Sequence, residues 1–462
     1  MNNDLVENKM KFKDYLLVSS MLFALFFGAG NLIFPLHLGQ MAGHNWVPAV
    51  LGFLVTGVLL PLLSVLAVSV TKSKGVYDIG LPLGSGFALV FMVLVHATIG
   101  PLFGTPRTAT VSFTVGVAPL LPAGWQKWAL VVFSALFFLA AFALSYRQNK
   151  IVANLGKVLN PLFLALLVLV FFVAFLKPMG NPAQMAATSD YLKAPFTNGF
   201  LQGYNTMDAL AGLAFGVTVV TAIKMMKKKE SVSATTAKAG VLSMAAMALI
   251  YVLLTAVGAM SLGKFKLSAD GGVAFSQVVT GYAGTLGQAV LAALIVVTCL
   301  TTAVGLVAAF AQDFHNHFPQ LSYHQWLALN CLVSFLTANF GLQQIIAWST
   351  PVLMFLYPLA MVLIVLSVAS PLFKRDGRVY FMVVLFTVVP AFFDMVVSFP
   401  ALVSQSAFGK AVAAFRLRYL PLAGMGLSWV LPAVVGLVLG LAWHLVRQKN
   451  ESPADYSFEQ ED

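Results

Sequence analysis

The sequence predicts an all-α polytopic membrane protein with twelve transmembrane helices, arranged as a 5+5 inverted repeat with broken helices 1 and 6, plus two additional helices. Of its 462 residues, 60% are hydrophobic and only 9% are charged, a composition that cannot cover a soluble surface with polar groups. Twelve segments have the length and apolar content of a membrane span. The first and the sixth contain helix-breaking residues, which indicates how the spans are related.

Windows of about 20 apolar residues define the spans. In chain order, spans 1 to 12 are predicted at residues 14–36, 46–70, 86–106, 127–146, 155–176, 196–224, 238–262, 285–311, 325–340, 343–369, 379–399 and 427–446. Only Gly341 and Leu342 separate spans 9 and 10, so a tight turn is expected there. The first span lacks a cleavage site, and we expect it to be retained.

Basic residues predict the orientation of these spans. Of the 27 Lys and Arg residues, 18 lie beside span ends on one side of the membrane. The positive-inside rule places that side, and both chain termini, in the cytoplasm. We therefore expect a multi-pass protein of the cell membrane, with a cytoplasmic N-terminus at residues 1–13 and a disordered cytoplasmic tail at 448–462.

Spans 1 and 6 are both interrupted near their middle. Span 1 contains Gly28-Ala29-Gly30-Asn31, and span 6 contains the polar stretch from Gly203 to Asp208. Five is an odd number, so a second set of five spans enters the membrane from the opposite face. The predicted units are a first repeat at 14–177, a second repeat at 195–369, and two accessory helices at 379–447.

The two interruptions form the predicted substrate site. Backbone that leaves the helix at membrane depth persists where it faces protein, water or a ligand. Amides near Ala29, Gly30 and Asn31 are suited to a carboxylate, and carbonyls of the span 6 break are suited to an ammonium group. The residues assigned to this site are Gly28, Ala29, Gly30, Asn31, Gly203, Tyr204, Asn205, Thr206 and Asp208. The alternative is that the glycines of span 1 only allow close helix packing.

Asp208 is the acidic residue that we place deepest in the membrane. An ionisable group at this depth is a functional candidate, and Asp208 could pair with an ammonium, a metal cation or a proton. The alternative is a carboxylate that caps the following half-helix and has no further role. His96 in span 3 is either a proton carrier or a hydrogen-bonded core histidine, and Asp313 is expected in a solvated loop after span 8.

Three threonines of span 8 suggest a cation site. Thr298, Thr301 and Thr302 share one helix face through their i, i+3 and i+4 spacing. Their hydroxyls could join carbonyls freed in span 1, at Ala24 and Phe27, to bind Na⁺ without a charged ligand. The alternative is that each hydroxyl bonds the preceding turn of its own helix.

Several other functions lack their signals. The sequence contains no phosphate-binding loop, complete dinucleotide motif or His-Glu-x-x-His motif, so we expect neither ATP nor an organic cofactor. The net charge of +11 is concentrated at span ends, so we do not expect nucleic acid as a partner. A channel would show a continuous polar stripe, and an embedded enzyme would show convergent catalytic groups.

Three motifs carry a family resemblance. They are Gly28-Ala29-Gly30-Asn31-Leu32-Ile33-Phe34-Pro35, Gly104-Thr105-Pro106-Arg107 and Gly203-Tyr204-Asn205-Thr206-Met207-Asp208. From Tyr15 to about Arg447 the chain resembles the bacterial branched-chain amino acid:cation symporters, which are similar to the leucine-transporter fold group. The resemblance implies uptake of leucine, isoleucine and valine with Na⁺ or H⁺.

The resemblance also assigns roles to residues. It implies that Ala29 and Gly30 hold the substrate carboxylate, and it assigns a shared sodium site to Ala24, Phe27, Thr298, Thr301 and Thr302. The chain lacks an arginine within residues 32–34, so the outer gate of sodium- and chloride-coupled members is not assumed, and Arg107 is the substitute we consider. We expect a Na⁺-coupled symporter working by alternating access, with a proton-coupled or broader-specificity carrier as the alternative.

Overall fold

The computed structural model describes residues 10–28, 30–146, 164–226 and 230–448. Every regular element in these ranges is helical, which confirms the predicted all-α class. The α-helices are α1 (Phe12–Phe26), α2 (Gly30–Ala42), α3 (Trp46–Leu54), α4 (Leu60–Val70), α5 (Val76–Gly80), α6 (Ser85–Ala97), α7 (Gly104–Ser112), α8 (Ala123–Tyr146), α9 (Leu164–Leu176), α10 (Ser189–Lys193), α11 (Pro195–Gln202), α12 (Asp208–Met225), α13 (Val232–Ser261), α14 (Gly271–His317), α15 (Tyr323–Ala338), α16 (Leu342–Ala369), α17 (Gly377–Ser398), α18 (Ala401–Ser404), α19 (Ala407–Tyr419) and α20 (Val430–Gln448).

Helices occupy all twelve predicted spans within the described ranges. Nine helices or continuous helical runs among these residues are long and apolar enough to cross a membrane. They account for spans 2, 3, 4, 6, 7, 8, 10, 11 and 12. Of the others, span 1 is interrupted, span 5 is described only from Leu164, and span 9 is the 16-residue helix α15. The boundaries drawn between the repeats remain predictions.

The interruptions predicted in spans 1 and 6 are both present. In span 1, α1 ends at Phe26 and α2 begins at Gly30. In span 6, α11 is followed by a 3-10 turn at Gly203–Thr206, and Met207 then adopts a left-handed conformation with φ 61° before α12 begins. Such a conformation is uncommon for a residue with a side chain and tends to occur at functional sites.

Span 3, predicted at 86–106, contains a third interruption that the sequence analysis did not identify. A π-helical turn at Thr98–Leu102 separates α6 from α7, and Gly100 within it has non-helical dihedral angles (φ −91°, ψ −121°). Pro101 lacks an amide hydrogen and therefore cannot complete a helical hydrogen bond there. The pair Gly100-Pro101 was the available signal for this break.

Helix packing follows the numbering of an inverted repeat. Adding five to a span of the first repeat gives its counterpart in the second. Span 1 packs on span 7, and their counterparts, spans 6 and 2, also pack on each other. Likewise, span 4 packs on span 8, and their counterparts, spans 9 and 3, are in contact. Spans 3 and 8 are counterparts that contact each other directly, and so are spans 4 and 9. The broken spans therefore lie beside corresponding neighbours.

Glycines allow these helix pairs to approach closely. A Cβ atom added to Gly258 of α13 would lie 1.9 Å from the Leu36 carbonyl oxygen of α2. At the equivalent pair of spans, a Cβ atom on Gly199 of α11 would lie 1.9 Å from the Ala49 carbonyl oxygen of α3. Only glycine fits at such separations, as is common where membrane helices pack.

Candidate functional site

The break in span 1 is held by Asn31. The Gly28 amide donates to the side-chain oxygen of Asn31 at 3.0 Å, and the Asn31 amide donates to the Gly28 carbonyl at 3.2 Å. In a continuous helix these two amides would bond the carbonyls of Ala24 and Phe27. The Ala24 carbonyl therefore loses its helical donor. Ala29, the centre of the predicted carboxylate site, lies outside the described residues.

Asn31 also connects span 1 to spans 6 and 7. Its side-chain nitrogen donates to Asp208 Oδ2 at 2.6 Å and to the Tyr251 hydroxyl. Tyr251, which the sequence analysis did not single out, lies 3.4 Å from the same Oδ2 atom. All three side chains are buried. Both ends of the Asn31 side chain therefore bond within the protein, as its backbone amide does.

Asp208 begins α12, but its carboxylate does not cap that helix. The helix N-cap is Met207, and the hydrogen bonds to the Asp208 carboxylate come from the neutral side chains of Asn31 and Tyr251. Within the described ranges no Lys, Arg or His side chain lies within 4.0 Å of it. The acid is thus a buried hydrogen-bond acceptor beside both breaks.

The span 6 break presents its residues to different neighbours. Gly203 packs against span 2, where an added Cβ atom would lie 2.1 Å from Thr56 Oγ1. The Tyr204 ring stacks on Tyr357 of span 10, with 4.4 Å between centroids. The hydroxyl of Thr206 donates to the Gly203 carbonyl at 3.0 Å. Of the predicted substrate residues in this break, Asn205 and Asp208 are the two that face span 1.

The two breaks meet at Gly30 and Asn205. A Cβ atom on Gly30 would lie 4.0 Å from the Asn205 carbonyl oxygen and 3.3 Å from the Phe34 ring. That carbonyl accepts a 2.5 Å hydrogen bond from Arg107 Nη1, which comes from span 3. The Arg107 guanidinium also lies 5.0 Å from the centre of the Phe34 ring. A positive charge therefore stands where the two breaks touch.

The residues of the predicted cation site lie in spans 1 and 8, which contact each other. A Cβ atom on Gly28 would lie 3.8 Å from Thr302 Oγ1, so span 8 meets the break in span 1 there. The Thr301 and Thr302 hydroxyls donate to the Thr298 carbonyl at 2.8 and 3.0 Å, as the back-bonding alternative expects. Each oxygen keeps lone pairs after donating its proton. The Thr298 hydroxyl is buried and has no hydrogen-bond partner among the described residues.

Asp313 is not in a solvated loop, and that expectation was wrong. It lies inside α14, which continues to His317, and its Oδ2 atom is 2.7 Å from Nε2 of the buried His96. Two rings, Phe215 and Phe314, pack edge-on against the His96 ring. His96 is therefore paired with an acid and joins span 3 to span 8.

A cavity of about 600 Å³ begins at Thr110, one helical turn beyond Arg107. It lies between the end of the helical run of span 3, the start of α8, the first turns of α14 and the turn that joins spans 9 and 10. Polar side chains line part of it, including Gln126, Asp270 and Asn339. Among the described residues, its lining includes none from the breaks in spans 1 and 6.

Comparison with known proteins gives consistent matches. A family model described as "Branched-chain amino acid transport protein" matches residues 11–447. The chain is 41% identical to the branched-chain amino acid permease BrnQ of Lactobacillus delbrueckii subsp. lactis, over 93% of this chain and 96% of that protein. It is 39% identical to the permease BraB of Bacillus subtilis (strain 168), over 94% and 96% of the two chains.

Solved structures match at the level of the fold. The inward facing conformation of Mhp1 aligns with a TM-score of 0.60 and 12% identity, covering 94% of this chain and 91% of that one. MhsT in complex with L-phenylalanine aligns with a TM-score of 0.54 and 15% identity, covering 94% and 99%. At these identities the two alignments show a shared fold and nothing further.

Proposed function

This chain belongs to the branched-chain amino acid transport protein family, and from that premise we propose that it is a secondary symporter that imports leucine, isoleucine and valine together with Na⁺. The transported amino acid binds where the breaks of spans 1 and 6 meet. Access alternates as these two spans rock against spans 3 and 8. The chain is a multi-pass membrane protein, and we propose the cell membrane as its location, with both termini cytoplasmic.

The substrate site is built from opposite charges and backbone groups. The Asn31 amide bonds the Gly28 carbonyl, and the partial positive charge at the start of α2 favours a carboxylate near Ala29, Gly30 and Asn31. Asp208 supplies a negative group for the ammonium, next to Asn205. The apolar surroundings of the breaks favour an aliphatic side chain over a charged one.

One observation carries the proposed sodium site: the Gly28 amide bonds the Asn31 side chain instead of the Ala24 carbonyl. The Ala24 carbonyl is then available at the end of α1, where Phe27 is the C-cap residue, and Thr302 stands beside Gly28. Carbonyl and hydroxyl oxygens are ligands for a hard cation. With Thr298 and Thr301 they form a site without a full negative charge, which suits a monovalent ion.

Proton coupling through Asp208 is the second candidate. It is favoured by the burial of a carboxylate whose hydrogen-bond donors, Asn31 and Tyr251, are both neutral. Such a group takes up a proton more readily than a pair of hydroxyls does. The two mechanisms place the coupling ion on different residues, so substitutions separate them.

The test is leucine uptake into vesicles at several sodium concentrations. In the double variant Thr301→Val/Thr302→Val, size and packing are kept while two oxygen ligands are removed. We expect half-maximal uptake to need roughly tenfold more sodium, since a loss of about 1.4 kcal/mol in ion binding has this effect. The matched control is Thr337→Val/Thr387→Val, which removes two hydroxyls that also bond the preceding turn of membrane helices.

The variant Asp208→Asn is the counter-test, because it removes a proton carrier and leaves the threonines intact. If the double Val variant keeps the sodium dependence of the wild type while Asp208→Asn alone uncouples transport, the sodium assignment is wrong. Proton coupling through Asp208 then replaces it.

A further inference from the structure

Arg107 is a buried cation without an acidic partner among the described residues. It is 5% exposed, and its hydrogen bonds go to the Asn205 carbonyl and, at 3.0 Å, to the Ser349 hydroxyl. By contrast, Arg416 lies 2.6 Å from the buried Asp394. A buried charge is costly unless it is paired, so an arginine held by two neutral oxygens needs another explanation.

The guanidinium also keeps unused donors. Of its five N–H groups, one donates to Asn205 and one to Ser349, and the buried Nε atom has no hydrogen-bond partner in the described part of the chain. The planar geometry of these donors matches the two oxygens of a carboxylate. Lysine would supply the charge but not this geometry.

The position of Arg107 adds to this argument. It contacts Asn205 and Phe34, and both lie next to Gly30 at the meeting point of the breaks. Asp208 follows Asn205 by three residues, yet Arg107 and Asp208 form no salt bridge with each other. A buried cation that contacts the span 6 break and a buried anion that belongs to it, each bound to neutral groups, are suited to a zwitterion.

We propose that Arg107 binds the carboxylate of the transported amino acid, together with the amides at the start of α2. This inference rests on the proposed substrate position at the two breaks. Arg107 comes from span 3, whereas the amides come from span 1. The carboxylate thus ties a broken span to one of the spans against which it moves.

The test compares leucine with leucinol, which keeps the amine and the side chain but lacks the carboxylate. Both are measured as competitors of radiolabelled leucine on the purified full-length protein at saturating sodium. In Arg107→Gln we expect leucine affinity to fall by roughly 10- to 150-fold, the loss of one hydrogen bond to a charged group. Leucinol affinity should change little, so the preference for leucine over leucinol should be largely lost.

Ser349→Ala is the control, because it removes a partner of Arg107 and keeps the charge. The leucine-to-leucinol ratio should stay near that of the wild type. Should Arg107→Gln fail to reach the membrane, Arg107→Lys decides the question. It keeps the charge and loses the planar fork, so the ratio should fall by a smaller factor.

An unchanged ratio in the arginine variants, or an equal loss for both ligands, would show that Arg107 only supports the structure. A wild-type protein that binds no leucine would instead refute the proposed substrate site. The two failures are therefore distinct.

Discussion

At the scale of single residues, Asn31 determines the form of the break in span 1. Its side-chain oxygen takes the Gly28 amide, and its nitrogen reaches Asp208 and Tyr251. One side chain thereby satisfies a backbone donor, frees the Ala24 carbonyl and connects spans 1, 6 and 7. A glycine pair alone would give flexibility, whereas the asparagine makes the break a specific structure.

The variant Gly30→Val tests the role of the backbone at this break. A β-branched side chain would stand 3.3 Å from the Phe34 ring and would face the Asn205 carbonyl, where the substrate is proposed to bind. We expect leucine binding to weaken at least about tenfold, as losing one amide bond to a carboxylate predicts. Direct binding to the purified protein measures this effect.

Gly86→Val is the control for that measurement, because nothing lies within 4 Å of an added Cβ atom at Gly86. Both variants should insert into the membrane normally. Leucine affinity like that of the wild type in Gly30→Val would remove this backbone from the substrate site.

At the scale of helices, the breaks are combined with close packing. Spans 1, 3 and 6 each leave the α-helix near their middle, yet their outer parts pack closely on neighbouring spans. In the pairs of spans 1 with 7 and 2 with 6, glycines bring backbone against backbone. On both sides of its break, span 1 is thus held to span 7 and span 6 to span 2.

Gly258→Ala tests this packing. The new methyl group would lie 1.9 Å from the Leu36 carbonyl, so the helices must separate, at a cost of roughly 1–3 kcal/mol. The thermal midpoint of the detergent-solubilised protein should fall by several degrees. Fluorescence-detected size exclusion after heating measures this midpoint. Gly124→Ala in α8, where the space is open, should leave the midpoint equal or higher. Equal midpoints for both variants would contradict the close approach.

At the scale of the whole molecule, the two repeats place a small polar centre inside a large apolar body. Arg107, Asp208 and Asn31 are buried among side chains that are predominantly apolar. A substrate there must carry a carboxylate and an ammonium group, and its side chain must be apolar, because it is removed from water. This favours aliphatic amino acids.

Competition for leucine uptake checks that selectivity. Isoleucine should compete about as well as leucine. Valine, which has one fewer CH₂ group, should compete roughly fourfold less well, because each buried CH₂ contributes about 0.8 kcal/mol. Lysine and glutamate should not compete, since a third charge would be buried without a partner. Competition by lysine equal to that by valine would indicate a broader amino acid carrier.

Sequence alone determined which segments cross the membrane, where spans 1 and 6 break, and that the second set of five spans is inverted. These features depend on local composition: the length of apolar runs, the position of glycine beside asparagine, and the parity of the span count. They needed no knowledge of which helix touches which. The break in span 3 had a local signal as well, in Gly100-Pro101, but an apolar run with one proline is also compatible with a continuous membrane helix.

Only the tertiary structure decided which side chains meet at the site. Asn31 and Asp208 are 177 residues apart in the sequence, and Arg107 and Asn205 are 98 residues apart. His96 of span 3 pairs with Asp313 of α14. In a soluble helix the apolar stripe would reveal which face is buried. Membrane helices are apolar on every face, so periodicity does not indicate how each one is rotated. Helix packing sets that rotation, and it directed Arg107 to the breaks and Tyr204 into the core.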